Sequence, residues 1–483
     1  SVPTWSSPLD PLQVHRTVTL GDVLEDETWH FDDLGRSVRH EALTPEGIRG
    51  ELKAYNGMGW PTFISERIAL NATTTSGPGT QFLNFDVFGR PGSIVAADGS
   101  EAILTYRGIS RIDRTRYVGA GTSQAPLGTE RTTVEHYDAL GQLRQVTEPN
   151  NKSTRYKYDA VGHLKQVHPV SSDQTSRFFT YDGRGFLKAE EHPENGRTEY
   201  LYDAAGNPAR TLTPTGTLLT TYDEAGRPLE LHVATGQNQT SLLKKYGYFG
   251  HLSGTWQGKL REALATNWRK AGGQCVPYDV TDVFTYDDSA RVQSKETLLT
   301  NDGTPKEKWQ QSYTYDGAGR LTTLAYPNCT ANCTSTARSV ETAFEYGRPV
   351  HIKDPSTAPT GPVFASEITY NENGTVGSVV HGGARFEQAP DPFHLQRPLS
   401  MAVIKVANGS TIWSSGEYQY DRSGNILQID VGPQARKFTY DSLSRLRSAE
   451  IPAAGAKDYQ SYTYDRYGNL TGIYTGTGPG DAA

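Results

Sequence analysis

One motif constrains this chain more than any other feature: an aromatic residue, then Asp or Asn, two variable residues and Gly. Full matches begin at Phe31-Asp32, Tyr55-Asn56, Phe85-Asp86, Tyr137-Asp138, Tyr158-Asp159, Tyr181-Asp182, Tyr202-Asp203 and Tyr222-Asp223. They continue at Tyr315-Asp316, Tyr370-Asn371, Tyr420-Asp421 and Tyr464-Asp465. The glycines are Gly35, Gly59, Gly89, Gly141, Gly162, Gly185, Gly206, Gly226, Gly319, Gly374, Gly424 and Gly468. Tyr286-Asp287 and Tyr440-Asp441 carry Ala290 and Ser444 where the Gly should be. From Tyr137 to Tyr222 the aromatics recur every 20 to 23 residues, the signature of a repeat architecture.

Each position has a physical task. A second aromatic usually stands two residues earlier, as at Tyr156, Phe179, Tyr200, Phe284, Tyr313, Tyr418, Phe438 and Tyr462. Residues i and i+2 share one face of a strand, so each repeat presents a pair of rings to one side. The Asp can accept a hydrogen bond from the backbone two residues on, which starts a tight turn. Gly supplies the positive φ that such a turn needs. An aliphatic residue follows six positions after the aromatic, as at Leu143, Leu164, Leu187, Leu321, Ile426, Leu446 and Leu470. The unit is strand, turn, strand: a β-hairpin of about twenty residues.

A lone hairpin is marginally stable, so the units must pair edge to edge into one long sheet. A twisted sheet of that many strands curls rather than staying flat. The expected fold is therefore all-β, hairpins in a long curled or spiral sheet, with residues 1–483 forming a single continuous array. Composition agrees: 49 Gly, 27 Tyr and 27 Pro against 2 Met suit short aromatic strands and turns rather than a helical bundle. A net charge of −7 with no Lys/Arg run excludes a general nucleic-acid binder. No stretch reaches the ~20 apolar residues of a membrane span. The opening Ser1-Val-Pro-Thr-Trp5 shows neither the basic end nor the apolar run of a signal peptide.

These residues resemble the Rhs/YD-repeat family, whose signature is Tyr-Asp-x-x-Gly-Arg-Leu. Tyr315-Asp-Gly-Ala-Gly-Arg-Leu321 matches it throughout, and Tyr137-Asp-Ala-Leu-Gly-Gln-Leu143 departs only at Gln142. The resemblance covers nearly the whole chain. It implies a β-sheet spiral forming part or all of a hollow, cocoon-like shell. In bacterial polymorphic toxins and the B–C components of Tc toxins such a shell encloses a C-terminal toxin domain; in teneurins a similar shell belongs to an adhesion receptor. Family members commonly release the toxin by cleavage at a terminal Asp-Pro motif. Here the Asp-Pro bonds are Asp10-Pro11, Asp354-Pro355 and Asp391-Pro392, none in that context, so the resemblance assigns neither self-cleavage nor cargo to these residues.

Two lapses interrupt the period. Residues 227–283 read as an insertion in which Leu260, Leu264 and Trp268 recur at i, i+4 and i+8 before Gly272, the spacing of a short helix. Residues 375–417 read as a loop-rich insertion because of the prolines at 390, 392 and 398. Cys329 and Cys333 could close a small disulfide loop, remain thiols, or form half of a metal site, while Cys275 stands alone.

No nucleophile elbow, His-Glu-x-x-His motif or phosphate loop is present, and the expectation is a non-enzyme without cofactor. The recurring Asp residues read as turn formers. His168-Pro169 and His192-Pro193 read as repeat-derived turn residues. The leading expectation is a shell segment of a secreted or cell-surface bacterial toxin, its partner a C-terminal toxin cargo or other segments of the same longer polypeptide. The alternatives are an extracellular scaffold that binds a cell-surface protein or glycan, its tyrosines offering stacking platforms, and, more remotely, a polysaccharide-degrading enzyme.

Overall fold

A computed structural model describes residues 4–5, 12–20, 23–119, 128–170, 176–236, 239–250, 254–271, 273–301, 304–334, 338–355, 362–430, 435–453, 456–465 and 468–476. Among them are 39 strands and one 3-10 turn, Gly254–Trp256, with no α-helix. Strands pair antiparallel with their sequence neighbours, as for Arg177–Tyr181 with Leu187–His192 and Gly196–Tyr202 with Pro208–Thr213. The chain divides into two compact units. One comprises Ser1–Ser153, Ala343–Ile352 and Val363–Ala483; the other comprises Thr154–Thr342 and Lys353–Pro362.

Burial explains why the repeat is built from aromatics. In Arg177–Tyr181 the residues alternate between half-buried and exposed, with Phe179 and Tyr181 on the half-buried side. Few side chains are wholly buried; Leu52, Ile68 and Leu70 make one small cluster in the first unit. That cluster sits where Gly47–Tyr55 pairs with both Pro61–Ser65 and Ile68–Ala69, a local detour in the strand order. A sheet with so thin a core depends on its ladder and on ring-to-ring cover.

The expected helix is a strand. Leu260–Ala271 pairs with Gln239–Tyr248 on one side and Gln274–Tyr286 on the other. A spacing of four is a multiple of the strand period of two, so Leu260, Leu264 and Trp268 lie on one strand face as readily as on one helix face. Two long neighbours then decide for the ladder. The 227–283 stretch is thus a pair of long hairpins, its turn after Tyr248 enlarged to hold Gly254–Trp256.

The stretch 375–417 is likewise not loop-rich. It holds Val376–His381, Ala384–Pro390, Pro398–Lys405 and the start of Thr411–Tyr420. Pro390 and Pro398 end and begin strands, positions where a missing N–H costs little. His168 and His192 also lie in strands, Leu164–Val170 and Leu187–His192, rather than in turns.

The first unit holds a second kind of contact, between residues some 300 apart in sequence. The backbone N–H of Tyr370 donates to Glu46 Oε1 at 2.9 Å, and that of Ala69 donates to Glu372 Oε2 at 3.1 Å. Gly119 N–H donates to Asp421 Oδ2 at 2.7 Å, and the Ser423 hydroxyl donates to Tyr117 O at 2.6 Å. Arg397 bridges Asp391 (2.6 Å) and Asp98 (2.9 Å). The rim carrying the Tyr-Asp turns of residues 370–424 thereby docks on the opposite rim of residues 46–119. Burial alone would push the Asp98 carboxyl up, but hydrogen bonds from Ser100 and the Arg397 charge hold it below the usual range.

The Arg397 guanidinium is 17% exposed and its partners Asp391 and Asp98 are 4% and 10% exposed. Arg397→Ala leaves two enclosed carboxylates facing each other and should lower stability by about 3 kcal/mol. In urea unfolding the midpoint should fall, and adding Asp98→Ala should recover part of the loss; strictly additive costs would show that the pair is not coupled.

Candidate functional site

The residues singled out by sequence do not converge on one point. They are strung one set per turn, and the sets share the same backbone construction. The Gly N–H donates to the carbonyl of the turn Asp, as Gly185 does to Asp182 at 3.0 Å, and the Asp N–H donates to the carbonyl four residues on. One Asp oxygen accepts the N–H groups two and four residues later: Asp138 from Leu140 and Gln142 (both 2.9 Å), Asp159 from Val161 (3.0 Å) and His163 (2.9 Å). Asp182, Asp223, Asp316 and Asp421 do the same. Asp203 and Asp465 accept the N–H of Asn207 (2.8 Å) and Asn469 (2.9 Å). The pairing then shifts by one residue, so that Tyr137, Tyr181, Tyr315, Tyr420 and Tyr464 face Leu143, Leu187, Leu321, Ile426 and Leu470. This is a tight turn closed by a bulge, and its left-handed residue is the Gly.

That geometry is imposed even where Gly is missing. Gly141, Gly162, Gly206, Gly226, Gly424 and Gly468 have φ between 75° and 100°, and Ala290 and Ser444 adopt φ 60° in the same position. The hydrogen bonds of the turn outweigh the one to two kcal/mol that an L side chain costs there.

Two parts of the device escaped sequence reading. First, the Tyr hydroxyl reaches back to the preceding repeat. Tyr181 donates to Leu164 O (2.9 Å), Tyr202 to Leu187 O (2.8 Å), Tyr222 to Pro208 O (3.2 Å), Tyr315 to Val292 O (2.9 Å) and Tyr464 to Leu446 O (2.9 Å). The acceptor is the residue six past the previous aromatic, which explains both the register of that position and the choice of Tyr over Phe. Tyr137 differs, its hydroxyl donating to Glu135 at 2.7 Å, and Tyr158 forms part of the same aromatic face.

Second, the residue after the Gly position lays a flat group over the next repeat's ring. Arg36 covers Tyr55 at 4.7 Å, Arg227 covers Tyr248 at 4.4 Å, Arg291 covers Tyr315 at 4.8 Å and Arg445 covers Tyr464 at 4.6 Å. Each of these guanidiniums also donates to its own turn Asp at 2.7 Å. Trp60 over Phe85 (5.5 Å), His163 over Tyr181 (4.6 Å) and Phe186 over Tyr202 (5.0 Å) fill the slot without a guanidinium. The Arg of Gly319-Arg320-Leu321 was the available signal, since it recurs at that position in six repeats.

The same slot exposes repeats hidden in the two lapses. Asp391 accepts the Phe393 N–H (2.8 Å) and the Arg397 side chain (2.6 Å), and Arg397 covers Tyr420 at 4.4 Å. His394, with φ 62°, takes the Gly role. Tyr248 donates to Pro228 O at 3.0 Å, so it too is a repeat tyrosine.

The electrostatics are those of a structural joint. Asp32 is held below the usual carboxylate range first by the Arg36 side chain, and Asp223 first by that of Arg227. Asp138 and Asp203 are lowered first by the backbone N–H of Gln142 and Asn207. Burial pushes the Tyr420 hydroxyl up to about 12. Among the described residues no group of three His, Cys, Asp or Glu side chains is placed to hold a metal. Cys329 and Cys333 are joined, with Cα atoms 5.6 Å apart, and Cys275 is an exposed thiol.

With the repeat's geometry established, known proteins can be set beside it. The RHS Repeat family model matches residues 137–171. Those residues carry an RHS repeat, and the same turn construction recurs along the described residues. No curated protein matches it. Among solved structures, a crystal structure of TcdB2-TccC3 superposes with a TM-score of 0.79 at 17% identity, covering 99% of this chain and 28% of that one. TcdB2-TccC3-Cdc42 gives 0.78 at 17%, covering 98% and 27%, and a Tc holotoxin pore from Photorhabdus luminescens gives 0.78 at 17%, covering 98% and 26%. The likeness establishes a common fold, and this chain spans about a quarter of the length of the chains it matches.

Ala290→Gly should raise stability by about 1 kcal/mol by relieving the left-handed alanine, whereas Gly141→Ala, whose Cβ would meet nothing within 4 Å, should lower it by about 1–2 kcal/mol through φ alone. Thermal melts of the two variants check the pair; equal signs would show that the turn does not impose the angle.

The lowered carboxyls also fix a pH dependence. Because the folded values lie below the unfolded value of ~3.9, the unfolded chain takes up protons first. The turn contribution is fully present above about pH 4 and is lost as pH falls through the folded values. The melting temperature should therefore decline below about pH 4 with no matching decline between about pH 5 and 7.

Proposed function

We propose that this chain is a wall segment of an Rhs-type shell that keeps a polypeptide cargo, a toxin domain of the same longer chain, apart from solvent and proteases until delivery from a bacterium to the outside. The observation that carries this reading is the clamp between consecutive repeats. Neighbouring hairpins are tied by a ladder and, in many repeats, also by a Tyr hydroxyl and by a flat group over a ring. A wall so jointed closes the sheet edges that would otherwise invite foreign strands. The Tc-toxin likeness in fold, over nearly all of this chain, supports the same reading. The repeats carry structural joints at the positions where an enzyme would need converging groups, which favours a scaffold over catalysis.

One observation favours the second reading, a glycan-binding scaffold. In the second unit a cleft of about 410 Å³ is lined by Arg269, Tyr278, Leu299, Asn301, Lys306 and Glu307. An aromatic ring beside charged and amide groups is the composition of a sugar subsite.

The two readings separate by limited proteolysis of the natural full-length polypeptide followed by mass mapping. Encapsulation predicts that the segment outside this wall resists digestion in the intact protein and is cut when expressed alone. Equal cleavage in both settings would sink it. Retained binding of acidic or neutral oligosaccharides by this chain, abolished by Tyr278→Ala, would then favour the glycan reading.

A further inference from the structure

The seam of the first unit borders a cleft of about 310 Å³, the size of a site for a small ligand. Both sides of the seam line it. On one side Ile94 and Ala102 face each other across Ser93–Val95 and Glu101–Arg107, with Arg116 on the next strand, Arg111–Val118. On the other side are Leu395, Arg397 and Arg422.

The charges around this cleft are not all answered. Arg397 is engaged by Asp98 and Asp391, and Glu101 accepts the Ser93 hydroxyl at 2.6 Å. Arg114 has Glu135 at 3.0 Å. Arg116 is two residues on, on the same strand face, and stands directly opposite Arg131 of Thr129–Tyr137. Like charges opposed across a ladder repel. Among the described residues neither arginine has a carboxylate partner, and the Arg131 Nε is buried without a hydrogen bond. Arg422 comes from across the seam, donates to the Gly99 carbonyl at 2.5 Å and also pairs with no carboxylate among the described residues. A buried guanidinium normally faces an acceptor, and the fork of Arg matches a carboxylate.

We infer that the cleft binds a small apolar carboxylate, its head on Arg116 and Arg422 and its body against Ile94, Ala102 and Leu395. The negative head offsets the repulsion between Arg116 and Arg131. The molecule touches both sides of the seam at once, so it binds the docked form alone and holds the seam shut. A free acid and a carboxylate on another segment of the natural polypeptide present the same chemistry here.

Octanoate is the probe, with octanol as the uncharged body and acetate as the bare head, each titrated into this chain by calorimetry. Octanoate should bind with a Kd on the order of 0.1–1 mM, and both controls about tenfold or more weakly. At about ten times Kd, hydrogen exchange should slow about tenfold in peptides holding the seam amides of Ala69, Gly119 and Tyr370, with peptides of Gly196–Thr213 unchanged. Arg116→Gln should lose the binding yet leave the melting temperature of the free chain unchanged or higher, because it removes a repulsion and no ion pair. Absence of octanoate binding overturns the inference. So does binding that octanol matches, binding that Arg116→Gln retains, or binding that leaves exchange at the seam unaltered. In the natural longer polypeptide, octanoate bound with the same Kd assigns the site to a free acid, and binding weakened about tenfold assigns it to a carboxylate of the chain; either result supports the site.

Discussion

The rest of this structure depends on the carboxylate that organises most of the turns. By accepting two backbone N–H groups, the Asp fixes where the chain reverses, and the reversal fixes which residues face each other across the hairpin. The face so defined carries the rings, and many of the tyrosines then reach the preceding repeat through their hydroxyls. Removing the carboxylate would not merely weaken a turn. It would free the register on which the next joint is built. The left-handed Ala290 and Ser444 show the strength of this control, since the turn holds even where the residue resists it.

The same construction explains why so small a core suffices. Few side chains are wholly buried, yet many of the repeat rings are covered by a guanidinium, indole, imidazole or phenyl group of the neighbouring repeat. Flatness matters in that slot more than charge. A guanidinium adds a bond to the turn Asp, but Trp60 and Phe186 cover the next ring without one. The repeat can therefore drift in sequence while the wall keeps its thickness. Strand length drifts too: the second unit runs from five residues in Arg177–Tyr181 to thirteen in Gln274–Tyr286.

Much of the fold was legible because the repeat couples residues close in sequence. Tyr181, Asp182, Gly185 and Leu187 lie within seven positions, and their roles in strand, turn, bulge and register follow from local chemistry. The Leu260–Ala271 strand was not legible, since its spacing suits both periods and only its partners decide. The hidden repeat at Asp391 was missed because it lacks both the aromatic and the Gly, although Arg397 kept its place over Tyr420. The Tyr hydroxyl and the flat-group slot join one repeat to another, and no single repeat displays either. The seam is harder still: Glu46 and Asp98 look like ordinary surface acids, and Asp421 like one more turn former, until residues 300 positions away are placed beside them.

The seam has a consequence for how the chain acquires its structure. Hairpins and their clamps join residues about twenty positions apart, so they can form in sequence as the chain emerges from the ribosome. The contacts of Glu46 with Tyr370 and of Asp421 with Gly119 cannot exist until the last third has been made. Loop-closure entropy puts them at the end of folding, beyond the main barrier. Interactions that form that late bear on how slowly the finished structure opens rather than on how fast it assembles. The seam thus acts as the latch of the first unit, setting its lifetime while the repeats set its shape.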